Sequence, residues 1–456
     1  PEIADLGVRA AASAWIPTLS ASLAKSRAES PATGSLDGPL GVLTDRQLSS
    51  DIVVSQRLPW GAAYQLGWSG SRNASNSVFN RYQPQLNAGA TARIEQPLLR
   101  GFAIDSARAD RERSVNGRDL AQFELDATVA ATTRAVLHAY WQWVYARDLL
   151  AVERDAHALA QTLLDGNRAR VAAGAMAAVD VVEAEAEVAR RDEAIIIADK
   201  NVANAEDRLR VLMLDPSATE YRAPFEPVDS SASRSSQAGV EAVARALAER
   251  LDLKVLRTSV AIDAVNVRQF RNDTLPDATV IADYSVQGAG GTELLRDAGL
   301  GTPVTGTLQR GFGSVLDDLT RFRYPAWSVQ LSVGYPLGTS AAEANAARAR
   351  VEQRRTETAL AALEQQIVTE VNAARREVDA NERRLQSTTT AVSLAERRLG
   401  AEEQKFNVGL STSFFVFQAQ RDLTSAREAR LRSILDQRLS VADFDAVQLV
   451  PLAPTQ

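Results

Sequence analysis

Apolar or small residues stand at Leu360, Leu363, Ile367, Val371, Ala374, Val378, Leu385, Val392, Leu399 and Phe406. Asn381, Thr388, Ala395 and Glu402 fill the steps between, so the spacing moves by threes and fours. That pattern predicts a coiled-coil seam held over about six heptads, far beyond the reach of an ordinary globular helix. The stretch Phe406-Asn407-Val408-Gly409-Leu410-Ser411-Thr412 interrupts it, and a second helical pattern from Phe417 to Leu449 runs back. The spacing therefore predicts a helical hairpin with an exposed tip at Gly409.

Composition narrows what such a hairpin can serve. The chain has 456 residues, no composition break between independent cores, and a net charge of −6, which argues against a nucleic-acid partner. It has no cysteine, and its two histidines, His138 and His157, carry no partner pattern and read as ordinary helix residues. Thiol catalysis and cysteine zinc sites are excluded, and histidine-based ones nearly so. No nucleophile–base arrangement, phosphate loop or metal cluster appears, so neither an enzyme nor a cofactor is expected. The apolar runs are too short for a transmembrane helix, but a β-barrel strand needs only about ten alternating residues. The chain opens at Pro1 without an initiator methionine or signal peptide, an expectation of processing or truncation.

In order, a helix end stopped at Trp15-Ile16-Pro17 is followed by strand patterns in Thr18–Arg27, Gln47–Leu58, Tyr64–Trp68 and Asn87–Gln96. Pro59-Trp60-Gly61 reads as a turn or a kink, which leaves the number of strands in this region open. Helices are predicted over about 102–171 and 177–214, then a Pro/Ser-rich linker over 215–236, then one helix over about 240–272. The first of these, with Tyr140, Trp141 and Trp143 packing between helices, is about 105 Å long at 1.5 Å per residue. Strands return at Val280–Gln287 and, after a glycine-rich loop, at Trp327–Tyr335, the cleanest membrane-strand pattern in the chain. Helices over about 340–406 and 412–449 close it. Arg375-Arg376, Arg383-Arg384 and Arg397-Arg398 read as solvated helix faces.

The two halves, 1–236 and 237–456, form a tandem repeat. At an offset of 235, Val171 falls on Phe406, Gly174 on Gly409, Val181 on Val416, Ala184 on Ala419, and Leu214-Asp215-Pro216 on Leu449-Val450-Pro451. Upstream the offset drifts, with Gln96-Pro97-Leu98 on Tyr335-Pro336-Leu337 and Ile16-Pro17 on Leu275-Pro276. By this symmetry roughly twenty residues are expected ahead of Pro1.

Phe406-Asn407-Val408-Gly409-Leu410 with Ala419-Gln420, and the junction Gln96-Pro97-Leu98-Leu99-Arg100-Gly101, resemble the signatures of the TolC-like outer-membrane efflux proteins. The resemblance covers essentially the whole chain. It implies an α+β membrane protein: a homotrimer in which each subunit lends about four strands to one outer-membrane β-barrel, continued by a long α-helical coiled-coil barrel in the periplasm of a Gram-negative bacterium. Independently, four strands per chain cannot close a barrel, whereas about twelve from three chains can. The implied function is the exit duct of a tripartite efflux or type I secretion system. Its partners are a periplasmic adaptor, an inner-membrane transporter and outer-membrane lipid.

The resemblance also assigns roles to residues. The tips at Ala173, Gly174 and Ala175 and at Val408, Gly409, Leu410 and Ser411 become adaptor-docking candidates. In the family, acidic residues past the tips help close the periplasmic entrance. Asp180 keeps that position at the first tip, and Glu183, one turn on, is expected on the same face. The second tip departs from the family, with Phe415 and Gln418 in place of aspartates and Ser411 in place of an arginine. A mixed gate is expected, with an acidic ring from Asp180 and Glu183 beside an aromatic constriction from Phe414, Phe415 or Phe417. Packing is the competing role for those aromatics. Tyr64, Trp68, Tyr284, Trp327 and Tyr335 suit an aromatic girdle at the lipid interface. Two other readings compete: a soluble coiled-coil scaffold with a small sheet, and a passive porin, which helices of this length disfavour.

Overall fold

A computed structural model describes residues 1–31, 41–77, 80–213, 225–226, 239–297, 303–338 and 340–448. In chain order the elements are α1 (Glu2–Ala12), β1 (Thr18–Pro31), β2 (Val42–Arg57), β3 (Ala63–Ser75), β4 (Tyr82–Pro97), α2 (Ser106–Ala172) and α3 (Val179–Met213). Then come α4 (Gly239–Glu249), α5 (Leu251–Asp273), β5 (Asp277–Arg296), β6 (Val304–Arg310), α6 (Phe312–Thr320), β7 (Pro325–Gly334), α7 (Ala341–Asn407) and α8 (Ser413–Gln448). The expected linker at 215–236 lies outside the described residues except for 225–226, as do Leu214-Asp215-Pro216 and Leu449-Val450-Pro451. Two compact units result, Pro1–Ala121 with Thr258–Glu357 and Gln122–Arg257 with Thr358–Gln456.

The first unit is built on an antiparallel sheet in the order β1-β2-β3-β4-β5-β6, with β7 also pairing with β5. Among the described residues it has seven strands, where the sequence shows six strand patterns with their number left open at Pro59-Trp60-Gly61. Pro59-Trp60-Gly61 is a hairpin turn, not a kink: the Leu58 N–H donates to the Ala62 carbonyl at 2.7 Å, and β2 and β3 pair over their length. β6 and β7 share one edge of β5. β7 pairs with Asp277–Val286, and β6 with Gly291–Arg296.

The register decides which face each side chain takes, because successive residues in a strand point to opposite faces. One row of partners reads Leu19, Val54, Leu66, Ala92, Tyr284, Trp327. The adjacent row, on the other face, reads Thr18, Ser55, Gln65, Arg93, Asp283, Ser328. Every strand but β6 contributes to both rows. A slip of one residue in any strand would exchange its apolar and polar sets. The apolar face stays uncovered at both margins: β1 and β7 are exposed along their whole lengths, and Trp327 is 76% exposed.

α6, β6 and the outward extension of β5 were missed in the sequence, where this region read as a glycine-rich loop. The glycines serve close packing. A Cβ on Gly288 would stand 2.4 Å from the Val315 carbonyl oxygen of α6, and one on Gly290 would stand 2.7 Å from the Val315 Cγ2. Val315 and Asp318 are buried, and Asp318 is held by Arg310 at 2.9 Å and Arg323 at 3.4 Å.

The second unit is helical. Ile367, Val371, Val378, Val392, Leu399 and Phe406 are all buried, so the α7 seam runs where the heptads predict it. The first three pack with Phe444 of α8 and with Ala242, Ala246 and Leu253; the last three pack with Val416, Ala419 and Leu423 of α8. Asn381, a polar step in the seam, is buried and donates through Nδ2 to the Asp436 carbonyl at 3.3 Å. Arg384 and Arg398 are not merely solvated, since they reach Asp436 at 2.7 Å and Asp422 at 2.6 Å on α8. The histidines also have partners: Asp443 lies 2.7 Å from His138, and Asp192 lies 3.1 Å from His157. Trp143 is buried and meets Tyr140 and Phe225 edge-on or tilted. The single helix expected over 240–272 is broken at Arg250. Its guanidinium binds Glu370 and Asp252, each at 2.6 Å, while the Asp252 carboxylate accepts the Leu253 N–H at the start of α5.

Overpacking the α6 contact gives a direct check. Gly288→Val is expected to lose about 1–3 kcal/mol of stability and to open α6 to limited proteolysis, whereas Gly313→Val, where a Cβ meets open space, should leave the cleavage pattern unchanged.

Candidate functional site

The two helix reversals share one backbone solution. Gly174 (φ +73°) and Gly409 (φ +78°) are left-handed. The Gly174 N–H donates to Val171 O at 2.9 Å and the Ala175 N–H to Arg170 O at 2.8 Å. At the second tip the Gly409 N–H donates to Phe406 O at 3.2 Å and the Leu410 N–H to Lys405 O at 2.8 Å. This is the Schellman arrangement, in which a residue without a Cβ takes the turn and the last helical carbonyls find donors.

What the turns present differs. Ala173, Gly174 and Ala175 make a small, exposed tip, whereas Val408 and Leu410 leave 70% and 79% of themselves exposed at the other. The tips are tied together: Arg170 donates to Asn407 Oδ1 at 2.9 Å, and its guanidinium lies 4.1 Å from the centre of the Phe406 ring. Ser411 donates to Glu402 at 2.6 Å, and this bond, with that from Lys405, holds the Glu402 carboxyl below its ordinary value.

Just past the turns, the expected gate residues separate. The Ser413 hydroxyl donates to Asp180 Oδ1 at 3.3 Å, and Asp180 is half-buried. Glu183 is exposed instead, and Ala184 takes the buried position beside Asp180. Of the aromatics, Phe417 is 4% exposed and packs with Leu164 and Ala184, so it is core. Phe414 and Phe415 stay half-exposed as an edge-to-face pair with centroids 5.5 Å apart. Gln418 donates to Asp422 at 2.8 Å, within α8.

Further along α3, the buried stripe carries charge that sequence reading passed over. Glu187 is buried against Arg421 at 2.6 Å, Arg190 at 2.9 Å and Arg191 at 3.1 Å. Arg191 also stands 3.6 Å from Glu153 of α2, whose carboxyl shares a hydrogen bond with Glu428 of α8. The local signal was the continuation Asp180, Ala184, Glu187, Arg191 on one helix face. The groups from α2 and α8 had no such signal. Burial alone would raise Glu187, but the hydrogen bond and charge of Arg421, then Arg191 and Arg190, outweigh it and hold its pKa low. Glu428 goes the other way, pushed up to about 7 first by burial and then by the hydrogen bond and charge of Glu153, against the pull of Arg191. Among the described residues, no group of three or more His, Cys, Asp or Glu has a metal-holding arrangement.

Folded chains keep the Glu428 proton up to about pH 7, while unfolded chains release it near 4.5. The folded state therefore binds more protons across that window, and stability falls as pH rises through it. Glu428→Gln is expected to raise the thermal midpoint above about pH 7 and to change it little below about pH 5. An equal change at both ends would contradict the Glu153–Glu428 acid pair.

The outer membrane efflux protein family matches this chain at residues 3–213 and 242–443. Among solved structures, a membrane protein from Pseudomonas aeruginosa aligns with a TM-score of 0.66 at 15% identity, over 98% of this chain and 88% of that one. The outer membrane protein VceC of Vibrio cholerae gives 0.65 at 15% identity over 98% and 90%. The open state of the Neisseria gonorrhoeae MtrE outer membrane channel gives 0.59 at 18% identity over 98% and 84%. At these identities the likeness carries the fold alone. No curated protein matches the chain. With both halves covered by the family, the chain belongs to the outer membrane efflux proteins and is a TolC-like efflux channel of the outer membrane, extending into the periplasm.

Proposed function

We propose that three copies of this chain form the exit duct of a tripartite efflux or type I secretion system, with 1–236 and 237–456 as duplicated halves. A periplasmic adaptor docks on the tips and connects the duct to an inner-membrane transporter. One observation carries the docking: Val408 and Leu410 are apolar and exposed on a turn whose flanking residue Phe406 is buried and whose backbone is capped. Water is a poor neighbour for such a pair, and a partner helix or loop is a good one. Ala173, Gly174 and Ala175 make the flatter second contact, with Ser411 holding the shape of the first.

The gate lies just past the tips. Asp180 supplies the acid and the Phe414–Phe415 pair the aromatic constriction, while Glu183 is free to face the entrance and Gln418 supports α8 through Asp422. Trp68, Tyr284 and Trp327, with Tyr64 nearer the middle and Tyr335 just after β7, form the lipid-interface girdle. At about 3.3 Å per residue, Trp327 and Tyr335 stand roughly 26 Å apart along the chain, of the same order as the apolar band of an outer-membrane barrel. The scaffold alternative would leave Trp327, Val329, Leu331 and Val333 facing water.

Val408→Asp combined with Leu410→Asp is expected to abolish adaptor crosslinking and export while leaving outer-membrane insertion intact. Retained crosslinking would remove the docking reading. Phe415→Ala is expected to raise the single-channel conductance of the closed state; a conductance equal to wild type would remove the aromatic part of the gate.

A further inference from the structure

Because the Pro59-Trp60-Gly61 turn closes a full hairpin, the sheet holds two more long strands than the about four per subunit the family resemblance implies. We propose that β2 and β3 both cross the outer membrane, so that each subunit is a six-stranded sector and the closed trimer an eighteen-stranded barrel. This rests on the channel reading above and adds to it how wide the pore is. The occupant of the apolar sheet face is the acyl interior of the bilayer.

The register carries the inference. β2 is paired along β1 from Val42 to Ser55, and β3 along β4 from Ala63 to Asn73. The hairpin therefore cannot lift out of the sheet without breaking both ladders. Its faces agree with its neighbours: Val54 and Leu66 continue the apolar row from Leu19 to Trp327, and Ser55 and Gln65 continue the polar one. An extramembrane hairpin would have no reason to keep that phase. Length agrees as well. β2 has 16 residues and β3 has 13, each at or above the roughly 9–11 that a tilted strand needs to cross. β6 does not count as a crossing strand, since it has 7 residues and only extends the β7 edge of β5 beyond the end of the apolar row.

The consequence is width. Barrel diameter grows roughly linearly with strand number, so eighteen strands make a barrel about one and a half times as wide as twelve and about twice the cross-section. Strands β1 and β7 are the free edges, and β7 of one copy meets β1 of the next.

Cysteine scanning tests this directly, since the chain has no cysteine of its own. Single substitutions Val54→Cys and Leu66→Cys, against Ser55→Cys and Gln65→Cys, are treated in intact outer membranes with a small membrane-impermeant maleimide. Leu331→Cys and Gln330→Cys on β7 serve as the reference pair. The expected result is loss of labelling at Val54, Leu66 and Leu331, with labelling kept at Ser55, Gln65 and Gln330. Alternation on β7 with equal labelling on β2 and β3 would overturn the six-stranded sector and leave the channel reading standing. Equal labelling at all positions, β7 included, would overturn the channel reading itself. Conductance gives an independent reading that needs no substitution in the sheet: with the entrance opened by Phe415→Ala, a barrel cross-section about twice that of a twelve-stranded one is expected, and a twelve-stranded value would contradict it.

Discussion

Backbone hydrogen bonding in the sheet is the constraint on which the rest depends. Inside a bilayer no water is available to satisfy an N–H or carbonyl group, so a spanning chain must pair every strand with a neighbour. The antiparallel ladders from β1 to β7 do this within the chain and leave its outer strand edges to neighbouring copies in the proposed barrel. The same ladders fix the phase of the side chains. Leu19, Val54, Leu66, Ala92, Tyr284 and Trp327 share a face because their backbones are partners, not because of any contact among side chains. In the proposed barrel, lipid on one side and a polar lining on the other follow from that phase.

A different rule governs the helical unit. Small residues such as Ala184, Ala242, Ala246 and Ala419 are buried at or near the seams, allowing close packing around α7 and α8. The layer of Glu153, Glu187, Arg191, Arg421 and Glu428 stands just behind the tips. Buried ionic groups of this kind are a weak source of stability, yet each broken pair strands a charge. They link α2, α3 and α8 at one level without adding much to the folding free energy. A single proton on half-buried Glu428 lets its carboxyl stand beside that of buried Glu153.

Much of this was legible in the sequence where one periodicity ran uninterrupted. The α7 heptads predicted the buried seam, and the alternation from Trp327 to Val333 predicted β7. Legibility failed where the deciding neighbour lies elsewhere in the chain. Pro59-Trp60-Gly61 is compatible with a kink until the pairing of Val54 with Leu66 is known. Gly288 and Gly290 read as a loop because the helix they accommodate, α6, comes more than twenty residues later. That helix did carry a signal of its own in the spacing of Phe312, Val315, Leu316 and Leu319. Helical signals continue through Arg250, and its bonds to Asp252 and Glu370 accompany the break. At the tips, helical phase separated Phe417, which faces Leu164 and Ala184, from Phe414 and Phe415, which do not. His138 found its acid, Asp443, 305 residues away.

The central claim is that six strands of each copy cross the outer membrane and that three copies close the barrel. Strand counting in a cryo-electron microscopy map of the purified full-length chain in lipid nanodiscs tests it most directly. The expected map shows a threefold barrel of eighteen strands, with β2 and β3 at bilayer depth. A barrel of twelve strands, with the β2–β3 hairpin outside the lipid band, would contradict it.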